Sequence, residues 1–122
     1  MRGYGLFIVM AMAALTSGAE ARAADAEAHD SHCLAIAMAM GNVADTQKSI
    51  VEADRQTAAD QPSADNTAQL DADVKHLDTY NEAAFSLLYI YATATEPGDD
   101  ELTQALEMTE EQLLSQSQAC LT

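Results

Sequence analysis

Apolar residues recur at intervals of three and four along most of this chain, and no stretch alternates apolar with polar over a strand's length. From Ser31 onward, Cys33, Ile36, Ala37, Met40, Val43, Ala44, Ile50 and Val51 trace one side of a helix. Asp30 or Ser31 can satisfy the free amides of its first turn. Gly41 falls inside this run, yet Ile36, Val43 and Ile50 stay in phase across it. The pattern therefore predicts one continuous helix over about residues 31–58, with Gly41 allowing the close approach of a neighbour. Upstream of it, Ala24 to His29 is polar and alanine-rich and reads as a frayed leader.

The stretch AADQPSADNTAQ, Ala58 to Gln69, carries a proline, several turn formers and no apolar period, so it predicts a loop in which Ser63 can cap an early turn. A second helix comes next, over about 70–95, with Leu70, Val74, Leu77, Tyr80, Ala84, Leu87, Leu88 and Tyr91 on one stripe. Pro97 and Gly98 end it, Asp99 caps the third helix, and Asp100 and Glu101 suit the positive end of that helix's dipole. The third helix, over about 99–121, carries Leu102, Ala105, Leu106, Leu113, Leu114 and Cys120. These elements predict an all-α fold, a small antiparallel bundle of three to four helices forming a single helical domain over residues 24–122.

The first 23 residues have a different character. Arg2 supplies a basic start, Leu6 to Leu15 is an apolar run too short to span a bilayer as a helix, and two Ala-x-Ala sites overlap at Ala19–Ala21 and Ala21–Ala23. They predict a signal peptide over residues 1–23, with cleavage after Ala23 or Ala21 and an exported, periplasmic or secreted product that carries no membrane anchor. Cleavage after Ala23 leaves Lys48, Arg55 and Lys75 against nineteen acids, because only Glu20 among the twenty acids is removed; 3 − 19 = −16. Such a surface repels nucleic acid and anionic lipid; it attracts a basic protein or cations, or simply keeps a secreted protein soluble, as in a salty medium.

Two cysteines in an exported chain favour a disulfide between Cys33 and Cys120. Three long helices running up, down and up set these residues roughly 25 Å or more apart, whereas a disulfide needs Cα atoms within about 7 Å. An additional reversal near Gly41-Asn42 or within the first loop reconciles the two, and that arrangement, with the bridge inside one chain, is the expectation. A link between two chains, giving a homodimer, and a pair of free thiols are the alternatives.

The segment AHDSHCLAIAMAM, Ala28 to Met40, raises the question of metal. His29 and His32 have the spacing of two ligands on one helix face, and a copper- or zinc-binding periplasmic protein is the alternative reading. Cys33 is better used in a disulfide, and Met38 and Met40 point to different sides of a helix. The expectation is therefore no metal and no cofactor. Catalysis is not expected either: the chain has no nucleophile elbow, no Glu-x-x-His, no CxxCH and no phosphate-binding loop.

One segment exceeds what a bundle core needs. AAFSLLYIYATA, Ala83 to Ala94, is apolar almost all round. Phe85 and Tyr89 form an i, i+4 pair roughly 120° from the core stripe, and Ile90 falls on the opposite flank. Either a fourth segment covers these residues or they form an exposed patch, with Asp78 and Glu82 as its polar rim. The second reading makes the protein a non-catalytic binder of another protein, such as an inhibitor or immunity-type binder of a basic partner.

Overall fold

The computed structural model describes the backbone from Arg2 to Thr122 and side chains from Ala23 onward; the proposed signal-peptide core lies outside the residues whose side chains are described. The fold is all-helical, with no strand among the described residues. Its elements are α1 (Arg2–Asp60), α2 (Ala64–Ile90), α3 (Asp99–Leu106) and α4 (Glu110–Leu121).

Alanine-rich sequence favours helix strongly, so residues 24–29 continue α1 where a frayed leader was expected. They are also tied down: Thr95 Oγ1 donates to Glu27 Oε1 (3.0 Å), and the His29 ring meets the edge of Tyr91 at 6.1 Å. α2 starts six residues earlier than its apolar stripe predicts, because Ser63 accepts a hydrogen bond from the Asn66 amide at 3.0 Å and opens the helix there. It stops at Ile90, short of the expected 95. The Thr93 and Thr95 region is β-branched and precedes Pro97, which disfavours another turn of helix. Gly98, not Asp99, occupies the N-cap of α3, and Asp99, Asp100 and Glu101 all lie in its first turn.

The third expected helix is two helices. Thr109 and Gln112 form a capping box: the Thr109 hydroxyl accepts from the Gln112 amide (3.2 Å), and the Gln112 side chain accepts from the Thr109 amide (2.9 Å). Two orphan donors are satisfied, and a new helix begins after Glu107-Met108. α4 then runs alongside α2 in the same direction. The Tyr80 hydroxyl donates to Glu110 O at its start (3.3 Å), and the Tyr91 hydroxyl donates to Cys120 O at its end (2.6 Å).

This reversal brings Cys120 to Cys33. They form a disulfide within the chain, with Cα atoms 5.8 Å apart. The extra reversal thus lies within the third expected helix, and neither Gly41-Asn42 nor the first loop supplies it. α1 passes unbroken through Gly41, and a Cβ built there meets nothing within 4 Å, so the expected close neighbour is absent from the described chain.

One buried cluster draws on all four helices. Its centre is the segment Ser31–Met40 of α1, where Ala35, Ile36, Ala37, Ala39 and Met40 are at most 1% exposed. A surface helix buries one stripe; this segment is enclosed almost all round because α2 covers one side and the α3–α4 pair covers much of the remainder. Ser31 Oγ donates to Glu101 Oε2 of α3 (3.3 Å), and His32 Nε2 lies 3.0 Å from Gln116 Oε1 of α4. The alanines keep the packing tight. From α2 the cluster takes Tyr80, Ala84 and Leu87, with Tyr91 just beyond its end. Ile50 and Leu88, expected in the core, are 43% and 42% exposed, and Val43 is only half-buried.

Candidate functional site

Most of the large exposed apolar residues of the described chain, Ile50 and Leu106 apart, gather around the C-terminal half of α2. Phe85 and Tyr89 are 76% and 82% exposed, and Ile90 and Leu88 are more than two-fifths exposed beside them. The cause is angular. Tyr80, Ala84 and Leu87 turn inward with the core stripe, and 100° per residue carries Phe85 and Tyr89 clear of it. Two open troughs flank the Phe85 ring. One lies between α1 and α2 and is bordered by Met38, Gly41, Asp45, Ala84 and Leu88. The other lies towards the end of α4, where Leu121 meets Ser86, Tyr89 and Ile90.

At 76% and 82% exposure, two rings of about 200 Å² each leave roughly 300 Å² of mostly apolar surface in water. With Leu88, Ile90 and Leu121 added, the patch reaches the size that is often functional on a monomer. Acids border it. Asp45 is on the α1 side, and Glu82 lines a third groove with Ser86 and Leu121. Glu96 and Asp99 lie beside Met38 and Leu88 at the lower edge. Asp78 is exposed one turn before Glu82 on the same helix. None of Lys48, Arg55 and Lys75 lines these grooves.

The histidines do not converge. His29 Nδ1 lies 3.2 Å from Asp30 Oδ1 and its Nε2 3.7 Å from Cys33 Sγ, which is bonded to Cys120. His32 faces Gln116 on α4. No group of three or more His, Cys, Asp or Glu side chains positioned for a metal occurs among the described residues. His76 packs on the Tyr80 ring at 4.9 Å, with Nε2 3.3 Å from the Glu110 carboxylate. Burial and the Glu110 charge push the Tyr80 hydroxyl above its ordinary pKa, which suits a phenol used as a neutral donor to Glu110 O.

A second polar contact joins α1 to α2 higher up. Gln47 is buried and donates to Asp73 O (3.1 Å), while Gln69 donates to Asp73 Oδ2 (3.0 Å). Asp54 faces Asp73, and its Oδ2 is enclosed with no donor partner. A hydrogen bond to Asp73 is open to it only while it carries a proton. That hydrogen bond, then burial and the Asp73 charge, raises the Asp54 pKa; the same hydrogen bond and Gln69 hold Asp73 below its ordinary value.

Sequence reasoning singled out Phe85, Tyr89, Ile90, Asp78 and Glu82, and it missed the trough around Gly41 and Met38. The signal was present in the spacing: Met38 lies seven before Asp45 and three before Gly41, on one α1 face. No described helix is long and apolar enough to cross a membrane. No family model, no curated protein sequence and no solved structure matches the chain.

Proposed function

We propose that this is an exported, non-catalytic protein that uses a small antiparallel helical bundle to bind a basic protein through the Phe85–Tyr89 face of α2. The observation that carries this reading is the exposure of the two rings, 76% and 82%, inside an acidic border. Large rings left in water cost solubility, and covering them against a partner gains roughly 25 cal/mol per Å² of apolar area. The charge selects the partner. A second copy would bring its own Asp45, Glu82 and Asp78 towards the same acids, so a basic surface fits better than self-association. The disulfide supports an oxidising destination, in keeping with the basic start, apolar run and Ala-x-Ala sites of the first 23 residues.

The test compares the mature chain with a Phe85→Ser/Tyr89→Ser variant against a basic partner captured by the mature chain from its own cells and then purified. Two anchors of about 2 kcal/mol each predict a loss of about 4 kcal/mol, roughly a thousandfold in Kd. Helix content and melting temperature stay near those of the wild type. A variant that binds equally well overturns the reading, and so does one that unfolds, since the rings would then be core.

A further inference from the structure

The α1–α2 trough beside Phe85 has a feature that the folded chain itself does not use. Gly41 lies in the interior of a long helix, where glycine is less favourable than alanine. It adopts no left-handed conformation and nothing within 4 Å needs the space of its missing Cβ. The space opens instead into the trough, whose floor continues with the small side chain of Ala84 and whose apolar walls are Met38, Phe85 and Leu88. A bare backbone between apolar walls permits another backbone to approach closely, as small residues do wherever two helices cross tightly. The trough and the adjoining ridge extend along α2 from Asn81 to Ile90, about 13.5 Å, which matches two and a half turns of helix. Asp45 on one side and Glu82 on the other set negative charge on both flanks of this strip.

We propose that the element received here is a basic amphipathic α-helix of the partner. It crosses over Gly41 with its apolar face on Phe85 and Leu88 and its lysines or arginines beside Asp45 and Glu82. This rests on the binding surface assigned above and adds the partner's secondary structure and its crossing point. An apolar stripe at i, i+3 or i+4, and i+7 meets Met38, Leu88 and Phe85 in turn, and the flanking cations account for the acidic border. An acidic helix is disfavoured by repulsion from Asp45 and Glu82.

The probe is a helical peptide of about fourteen residues with leucines at i, i+3, i+4 and i+7 and lysines elsewhere. A scrambled isomer of the same composition and a version with glutamate in place of lysine are its controls. Calorimetric titration of the mature chain should show the amphipathic peptide binding about tenfold or more tighter than the scrambled one, with no binding of the acidic version. Gly41→Leu fills the trough and should weaken the amphipathic peptide by about tenfold or more, and Gly41→Ala by a smaller factor, while both keep the helical spectrum. Equal affinity for the scrambled peptide overturns the inference, because charge alone would then explain binding. So does unchanged affinity in both glycine variants. The Phe85→Ser/Tyr89→Ser variant separates the two levels. If it loses the peptide while the glycine variants do not, the surface stands and the crossing point falls. If it binds as the wild type does, both fall.

Discussion

Removing the Cys33–Cys120 bridge tests the fold at the point where four helices, and not three, are required. The two cysteines are 87 residues apart in sequence. In the chain-entropy description, opening a loop of that length returns about 15 cal/mol/K to the unfolded ensemble, or about 4.6 kcal/mol at 25 °C. A domain of about a hundred residues has a net stability of roughly 5–15 kcal/mol, so the bridge accounts for a third of it or more. Its position sharpens the expectation. α4 has 12 residues, about 18 Å of helix, too short to persist alone in water. Besides the bridge it is held by Leu113 and Ser117, by His32 on Gln116, and by the Tyr80 and Tyr91 hydroxyls on Glu110 O and Cys120 O. A Cys33→Ala/Cys120→Ala variant should therefore lose about 4–5 kcal/mol in urea unfolding monitored by circular dichroism, and its melting temperature should fall by roughly 20–35 °C. A loss below about 1 kcal/mol would refute the reasoning. Peptide mapping that finds the bridge between two chains would refute the fold itself.

Other consequences are simpler to read. Gly41→Ala should raise stability by up to about 1 kcal/mol in the same urea assay, since the methyl group meets nothing and the helix gains propensity; a destabilised variant would reveal an intramolecular neighbour at that spot. Asp54→Asn should raise the melting temperature at pH 7. The raised Asp54 pKa means that wild-type folding gains from this group's proton below its ordinary value of 3.8 and loses that gain as pH rises through the shifted value. The amide donates to Asp73 permanently, so the advantage of the variant should vanish in acid below that pH. Asp73, held low, works in the opposite sense and is retained in both proteins. Glu52→Gln, on an exposed acid nearby, should change the melting temperature much less, and an equal rise would assign the effect to net charge alone. Mass spectrometry of the exported protein should find Ala24 or Arg22 at the N-terminus; a membrane-bound product retaining Met1 would remove export from the reading.

The all-helical class was legible because periods of three and four dominate and nothing alternates. The boundaries were less so, and the reasons are local. An apolar stripe marks where a helix packs, not where it starts, so Ser63 opened α2 nearly two turns before Leu70, the first position of its stripe. The break at Glu107–Thr109 carries no proline or glycine, and Leu106 and Leu113 stay in phase across it. Its signal is the Thr109–Gln112 pair, a capping box written in four letters, TEEQ, which a search for turn formers passes over. A Cys33–Cys120 bridge requires a reversal beyond those that the prolines mark, and Gly41 does not supply it, because a glycine's weakness is only about 1 kcal/mol when many residues around it pack well.

The same reversal explains why the aromatic face is bare. A fourth segment was the natural candidate to cover Phe85 and Tyr89, and a fourth segment exists. The cysteine bridge and Tyr91 fix its end beside Cys33, and His32 and Gln116 hold its middle on α1. α3 takes another side of α1 through Glu101 and Ser31. Ala35 and Ala39 lie four and eight residues after Ser31, on that same face of α1, and are buried there. The additional helical surface therefore goes to enclosing an alanine-rich stretch of α1. α4 reaches the aromatic face only with Leu121, one residue before the last described position. Two demands for cover thus compete for twenty helical residues, and the small side chains of α1 win because they admit the closer packing. Among the described residues, Phe85 and Tyr89 are left exposed.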